Sequence, residues 1–432
     1  MTQSSAELSI RPLREKVVRL AIFGYISLLL MWTICLFGTL LFLYFAHSLS
    51  LPPRIDAKGG SSLEFTDFVH FYVAGKITLS PLRHLFYSWD IQKQFLENIT
   101  QCVIANEDFY TQYVPIVFLL MAPYALLPID SAHLLFDFTN LCLGLAGYWF
   151  AVKRIPQINN KMPWLILIGA LASMPSWNTL MLGQISWLYL GILCLYFASL
   201  LKGNDMQMGL ALALCIIKPQ YFPFLLIPVL CLARYRALLI TFAWGALFFI
   251  ISVLVFGLKA ILAYPFALIQ CESVFKSTHT YAMYCLGAFF SSFESQQSLY
   301  RLSLMLLLLT LIATAIIIIR KFRKGSKSNK AVNWMIASVV LGALLFSPHT
   351  HSHDCLLLVV PALWTLPFYS PSRNQSFSLN LWQWTFYLMP VITWIAHWLV
   401  YFFHLPGNLF FAILMTVLFV CALKQFWKES QV

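Results

Sequence analysis

Charged side chains are scarce in this sequence. They make up 10% of the 432 residues, whereas a soluble domain carries about 25%. Acids are the scarcer sign, with 16 Asp and Glu against 28 Lys and Arg. Long apolar runs recur from residue 20 to residue 423. This composition leaves no room for a soluble domain of normal size and indicates a polytopic membrane protein.

Cysteine motifs and repeats are also missing. The ten cysteines form no C-x-x-C pair and show no spacing typical of a metal site. Most of them, such as Cys142 and Cys194, lie within apolar runs, where cysteine behaves as a small hydrophobe. Cys102 and Cys271 fall in predicted outer loops, where a disulfide between them is possible in an oxidising compartment. No internal repeat and no inverted hydropathy pair of the transporter kind is evident.

The net charge of +12 raises the question of nucleic-acid binding, but the placement of the basic residues argues against it. They form short clusters between apolar runs, before residue 20, around residue 154 and at residues 320–330. Such clusters mark cytoplasmic loops of membrane proteins. The first apolar run, residues 20–46, has no small-residue cleavage site, so we expect a retained span rather than a signal peptide.

Threading spans between these basic clusters predicts twelve crossings with both termini cytoplasmic. The fold class is all-α, a single integral-membrane domain over residues 1–432, with a first extracytoplasmic loop at 47–130 and a transmembrane bundle at 131–423. We expect amphipathic helices in the loop and a re-entrant or surface helix at 115–128, which is bounded by prolines. The predicted spans are 20–46, 131–152, 162–177, 185–201, 206–217, 221–233, 238–257, 298–319, 332–346, 354–369, 381–404 and 408–423.

The unusual polar residues share the outer side in this topology, and each also has a structural interpretation. Asp67 follows Thr66 and can act as a first-turn acid that complements a helix dipole. Lys218 lies between two apolar runs, where it either reaches the outer surface or binds a ligand such as a phosphate. His349, His351 and His353 alternate, which is not a helical ligand spacing, so we expect no metal. Asp354 can cap the helix that follows it.

The order of the motifs is more specific than any one of them. The stretches concerned are Thr66-Asp67-Phe68, Phe71-Tyr72-Val73-Ala74-Gly75, Tyr87 with Asp90, Tyr113-Val114-Pro115, Ala122-Pro123-Tyr124-Ala125-Leu126-Leu127-Pro128, Gly183-Gln184, Ile217-Lys218-Pro219-Gln220, Ser347-Pro348-His349 and His353-Asp354. Over residues 60–365 this series resembles the polyprenol-phosphate-mannose-dependent alpha-(1,2)-mannosyltransferase family of the glycosyltransferase-C superfamily. Val114 departs from the family pattern, where a proline is expected, and the crowded histidines leave open which one matches the functional histidine.

The resemblance implies a hexosyltransferase that transfers mannose with inversion from a polyprenyl phosphate on the extracytoplasmic face. The catalytic base is then Asp67, and the donor phosphate is bound by Lys218 with His349 or His353. No cofactor or metal is required, because the leaving group is already a phosphate ester. The other candidate substrate-binding residues are His70, Tyr72, Asn178, Gln184, Gln220 and Asp354.

Several alternatives stay open at this point. The sugar can be mannose or a pentose such as arabinofuranose, and the acceptor can be a lipid or glycolipid, a glycan or a protein. A transporter or flippase of a lipid-linked saccharide also needs many spans with a cation among them, and an O-antigen polymerase or ligase is a nearer rival, although the late loops here are short. The expected partners are the lipid-linked donor, the acceptor and membrane lipids, without nucleic acid. The expected location is a bacterial inner (plasma) membrane.

Overall fold

A computed structural model describes residues 30, 33–34, 67–100, 111, 113–155, 162–269, 283–286, 309, 312–313, 315–316, 318–320, 328–347, 349–366, 377–403 and 407–431. Over these residues the regular structure is helical and contains no strand, only an isolated antiparallel bridge between Met283 and His351. The α-helices are α1 (Phe68–Leu79), α2 (Trp89–Thr100), α3 (Pro115–Met121), α4 (Ile129–Val152), α5 (Met162–Ala172), α6 (Met174–Leu182), α7 (Ser186–Lys202), α8 (Asp205–Leu214), α9 (Phe222–Cys231), α10 (Tyr235–Phe256), α11 (Leu258–Leu262), α12 (Asn329–Phe346), α13 (Val359–Thr365), α14 (Phe377–Phe403) and α15 (Gly407–Glu429).

Four helices in the described part of the chain are long and apolar enough to cross a membrane, namely α4, α10, α12 and residues 410–429 of α15. A fifth span results if α5 and α6, which are bent by 53° at Ser173, are counted as one. The described part of the chain is therefore all-helical, and its long apolar helices are consistent with a polytopic membrane protein. The number twelve stays a prediction, because α7, α8 and α9 are short and the predicted spans 20–46 and 298–319 lie largely outside the described residues.

The spans differ in how deeply they are buried. In α12, 83% of the apolar stretch is buried, whereas in α10 it is 11%. Helix α12 is therefore central, and most of α10 faces outward, as a lipid-facing helix would. Helices α4 and α7 approach most closely at Gly147, where an added Cβ would lie 2.3 Å from the carbonyl oxygen of Gly191. Small residues permit such close backbone contact between membrane helices.

Helices α8 and α9 form a hairpin with Lys218 at its tip. The Oδ1 atom of Asp205, at the start of α8, lies 3.8 Å from Nη1 of Arg234, which follows α9. The two open ends of the hairpin therefore adjoin. Arg154, which follows α4, donates to Oε1 of Gln207 at 3.0 Å, so the end of α4 lies there too. We call this the basic end of the bundle. Lys218 lies at the opposite end of the hairpin.

The segment predicted to be the first outer loop differs in part from the prediction. Helix α1 is not amphipathic, because nine of its twelve residues are buried, as suits a helix that is apolar almost all round. Helix α2 is amphipathic, with Leu96 on its buried side and Asp90 on its exposed side. Helix α3 has seven residues and packs on α1, since the Thr78 hydroxyl donates to the carbonyl oxygen of Phe118 at 3.2 Å.

Candidate functional site

Asp67 stands at the start of α1, but its side chain does not cap that helix. Its Oδ2 atom instead accepts a hydrogen bond of 2.7 Å from Nε2 of Gln184. By its position the carboxylate still complements the dipole of α1, but its hydrogen bond goes to Gln184 and not to the helix. The carboxylate is partly buried and faces the break between α6 and α7.

Gly183 makes this contact possible. It ends α6 in the left-handed conformation, with φ +65°, which glycine adopts without strain. The amide of Gln184 then donates back to the carbonyl oxygen of Thr179 at 2.7 Å, which completes a helix C-cap. A Cβ at Gly183 would lie 2.4 Å from the Cβ of Phe68 and 2.8 Å from Nε2 of His133. The absence of a side chain at Gly183 therefore lets α1 approach the break.

Lys218 is fixed by the proline that follows it. The residue before proline is disfavoured in the helical region, and Lys218 lies outside that region, with φ −125° and ψ 79°. Its Nζ atom contacts Oδ1 of Asp354 and lies 3.5 Å from Oγ of Ser186. The exposed fractions of the Lys218 and Asp354 side chains are 6% and 3%. They form a buried ion pair, which the sequence did not indicate.

Asp354 connects this ion pair to the histidine loop, residues 349–353. It lies in the first turn of the 3₁₀ helix Ser352–Leu358. Its Oδ2 atom accepts from the backbone amide of His351 at 3.1 Å and lies 3.6 Å from Nε2 of His353. Asp354 thus bonds to the start of its helix, as the structural interpretation expects, and also pairs with Lys218.

His353 is the histidine closest to the charged groups. Its side chain is 7% exposed, and its Nδ1 atom has no hydrogen-bond partner among the described residues. A buried unpaired polar atom calls for an explanation, such as a bound water, an ion or a catalytic role. The rings of His351 and His353 stack at 5.5 Å. His351 keeps some exposed surface, but burial of its ring and then the neighbouring His353 lower its pKa to about 3. His351 is therefore neutral at pH 7.

The two halves of the site meet at the break between α6 and α7. Ser186, which contacts Lys218, comes two residues after Gln184, which contacts Asp67. Asp67 is also close enough to His353 to act on it electrostatically. Asn178 of α6 contributes a further polar contact, because its amide donates to the Ser352 hydroxyl. The structure thus places Asp67, Asn178, Gln184, Lys218, His353 and Asp354 around one site.

Four other predicted residues lie farther from this cluster. The Tyr72 hydroxyl donates to the carbonyl oxygen of Leu127 at 2.7 Å, and Nδ1 of His70 lies 3.5 Å from the Thr111 hydroxyl. The His349 ring stacks on His351 at 6.3 Å. No hydrogen bond joins the Gln220 side chain to another residue of the described chain. Substrate or phosphate binding by these four residues stays a prediction.

Three polar residues of the site were not predicted from the sequence. Ser186 and Ser352 contact site residues, and Asn140 of α4 contacts the backbone of Gln184. The serines carry no sequence signal above that of any loop serine. Asn140 does carry a sequence signal, because it is a lone amide within the apolar run 131–152. Polar residues in membrane helices tend to be functional.

The described side chains include no group of three or more His, Cys, Asp or Glu that is arranged to hold a metal ion. The expectation that the chain needs neither a metal nor a cofactor stays a prediction, as does the possible pairing of Cys102 with Cys271, which lie outside the described residues.

Comparison with known proteins gives one match. The family model described as Glycosyltransferase family 87 matches residues 110–348, more than half of the chain. The matched range contains Asn178, Gln184 and Lys218, and it excludes Asp67 and the histidine loop. No curated protein and no solved structure matches the chain significantly.

Proposed function

The chain belongs to glycosyltransferase family 87, and we propose that it is an inverting hexosyltransferase of the glycosyltransferase-C type. It moves a sugar, mannose by resemblance, from a polyprenyl phosphate to a glycan or glycolipid acceptor. The observation that carries this proposal is the meeting of one carboxylate, Asp67, with the buried cation Lys218 and the unpaired Nδ1 of His353 at a single site. A base and a group that binds an anion are what this transfer needs.

Asp67 is the proposed general base. The acceptor hydroxyl oxygen attacks the anomeric carbon, the bond from that carbon to the phosphate oxygen breaks, and the configuration inverts. The hydroxyl proton passes to the Asp67 carboxylate, and polyprenyl phosphate leaves with the bonding electron pair. Gln184 donates to Oδ2 of Asp67, which holds the carboxylate in one orientation and leaves Oδ1 for the acceptor hydroxyl.

Lys218 is the proposed ligand of the leaving phosphate. An ammonium group carries three N–H donors. Asp354 and Ser186 are placed to take two of them, so one remains for a phosphate oxygen. Burial lowers the pKa of the His353 ring and His351 is neutral, so the positive charge at the phosphate comes from Lys218. Among the histidines, His353 is favoured, since its Nδ1 is free to bond a phosphate oxygen or a sugar hydroxyl.

An apolar groove beside the site suits a lipid-linked donor. It runs between α5, α13 and α14, where Ile166, Ala170, Ala362 and Met389 line it, and it reaches Cys355, the neighbour of Asp354. A small cavity continues from Cys355 to Ser352. A ligand with a phosphate head and an isoprenoid tail would match this arrangement, with its head at the polar site and its tail in the apolar groove.

The distribution of basic residues supports an extracytoplasmic site. Arg154 and Arg234 lie at the basic end of the bundle, near Asp205 and Gln207, and the site lies at the opposite end of the α8–α9 hairpin. Since Lys and Arg concentrate on the cytoplasmic side, the basic end is taken as cytoplasmic. The proposed location is a bacterial plasma membrane, with the donor and acceptor reaching the site from the outer side.

The test is sugar transfer by membranes that contain Asp67→Asn and are supplied with labelled polyprenyl-phosphate mannose or arabinofuranose. General-base catalysis contributes roughly 10²–10⁴-fold, so a loss of that size is expected. Asp90→Asn is the matched control, because Asp90 is also a first-turn acid of the first outer loop but is exposed. Full transfer by Asp67→Asn removes Asp67 from the role of base. Movement of the lipid-linked sugar across vesicles without transfer would favour a flippase.

A further inference from the structure

Asn140 makes two hydrogen bonds that join α4 to the break between α6 and α7. It lies in the middle of α4 and is 3% exposed. Its Oδ1 atom accepts from the backbone amide of Leu188 at 2.7 Å, and its Nδ2 group donates to the backbone carbonyl oxygen of Gln184. Both ends of the amide are therefore used, in an apolar part of the chain.

The bond to Leu188 caps α7 from a neighbouring helix. The first four amides of an α-helix have no acceptor within the helix, and the residue at the N-cap of α7, Ile185, has no side-chain acceptor to offer. Polar side chains usually supply this bond from the N-cap position itself. Here the chain uses Asn140 from α4, which fixes where α7 begins.

The bond to Gln184 fixes the residue that contacts Asp67. The amide of Gln184 is held by the carbonyl oxygen of Thr179, and its carbonyl oxygen is held by Asn140. With its backbone held on both sides, Gln184 directs its side chain to Oδ2 of Asp67. A displacement of this backbone would move the Gln184 amide away from the carboxylate.

We propose that Asn140 is a positioning residue of the transferase, which acts through Gln184 to hold the Asp67 carboxylate in its reactive orientation. The inference rests on the proposed function for its effect on catalysis. The bonds of Asn140 to Gln184 and Leu188 can be tested without it.

The experiment compares Asn140→Leu with the parent enzyme in detergent or nanodiscs. A misplacement of about 1 Å costs on the order of 10²-fold in rate, so we expect kcat to fall by roughly 10- to 100-fold with little change in KM. The matched control is Tyr148→Phe, which removes another buried hydrogen bond of α4, from the hydroxyl to the carbonyl oxygen of Pro163 at 2.5 Å. The control should keep the parental kcat. An equal loss in both variants would overturn the proposal.

A double variant separates positioning from general damage. Without the Gln184 side chain, the Asn140 bonds no longer act on Asp67. The double variant Asn140→Leu/Gln184→Ala should therefore have a kcat only slightly below that of Gln184→Ala alone. Residues that act in one network show such non-additive effects. If instead the two losses multiply in full, Asn140 does not act through Gln184 and the proposal is wrong.

Hydrogen exchange provides a readout that does not depend on the sugar. In Asn140→Leu, and in Asn140→Ala if the leucine variant does not fold, the amide of Leu188 should exchange faster than in the parent, whereas Tyr148→Phe should leave it protected. Unchanged protection at Leu188 would overturn the proposed bonds. If the parent shows this protection but transfers no sugar from any polyprenyl phosphate, the proposed function fails and the bonds of Asn140 stand.

Discussion

The ion pair of Lys218 and Asp354 leads to the prediction with the largest expected effect. In Lys218→Met the Asp354 carboxylate stays buried without its cation and keeps neutral donors, the backbone amide of His351 and the Tyr221 hydroxyl. Because the two side chains are only 6% and 3% exposed, little water can reach them to replace the lost partner. Breaking a buried pair on one side costs about 3–5 kcal/mol of the free energy of unfolding. Replacing both partners by apolar residues costs far less and can stabilise a protein.

We therefore expect Lys218→Met and Asp354→Leu each to lose about 3–5 kcal/mol, and the double variant to recover most of that loss. Unfolding of purified protein in a denaturant series, followed by tryptophan fluorescence and by circular dichroism, measures this. The control is Lys93→Met, which breaks a half-exposed pair with Glu97 at 3.9 Å and should change stability by no more than about 0.5 kcal/mol.

Sugar transfer by the same variants tests the role of Lys218. The double variant should be stable but inactive, because it lacks the cation for the leaving phosphate. A double variant as unstable as either single variant would refute the assignment of a buried, mutually compensated pair. A stable double variant that transfers sugar at the parental rate would leave the pair intact as a structural feature but exclude phosphate binding by Lys218.

Three further predictions concern glycines and pH. Gly183→Ala should abolish most transfer, because the new Cβ would displace Phe68. The control Gly203→Ala has similar backbone strain, at φ +69°, but its Cβ meets only the movable Arg234 side chain, so it should keep its activity. Transfer assays on equally folded samples compare the two variants. Gly147→Ala should lower the free energy of unfolding by about 1–3 kcal/mol, because it disturbs the α4–α7 contact. In Gly245→Ala the added Cβ meets open space, so the free energy of unfolding should stay unchanged or rise by up to about 1 kcal/mol. The same unfolding assay measures both. Since the pKa of His351 is lowered to about 3 in the fold from an ordinary 6.5, the unfolded chain binds more protons between these values. The free energy of unfolding should therefore fall as the pH drops below about 6.5. In His351→Gln it should fall less steeply. An equal pH dependence in the variant and the parent would contradict this.

The sequence predicted which polar residues lie together better than it predicted their contacts. Ordered motifs and charge threading placed Asp67, Gln184 and Lys218 on one side of the membrane, and the structure brings all three to one site. The partner of Lys218 was not predicted, because Asp354 lies 136 residues further along the chain. Such a pairing depends on how distant helices pack, and no local pattern specifies it.

Helix α1 shows the opposite case. An amphipathic helix was expected in this part of the chain, and a local signal in the sequence of α1 argued against it. Residues 68–79 are apolar on nearly every side, a pattern that indicates a buried helix. The number of membrane spans was harder still to predict from the sequence, because broken segments such as α5–α6 and the α8–α9 hairpin have lengths that fit either one span or two. The roles of His70 and Tyr72 depended on resemblance, and their hydrogen bonds join other parts of the loop.

Helix lengths give the distance of the site from the basic end. Each arm of the α8–α9 hairpin has about 13 residues and therefore rises roughly 20 Å. Asn140 lies 12 residues before the end of α4, which corresponds to about 18 Å. The hydrocarbon core of a bilayer is about 30 Å thick. With the basic end at one surface and the hairpin along the bilayer normal, Lys218 lies roughly 10 Å below the opposite headgroups. On the proposed function the donor phosphate then binds below the headgroup level, and turnover is expected to depend on acyl-chain length in the surrounding lipid.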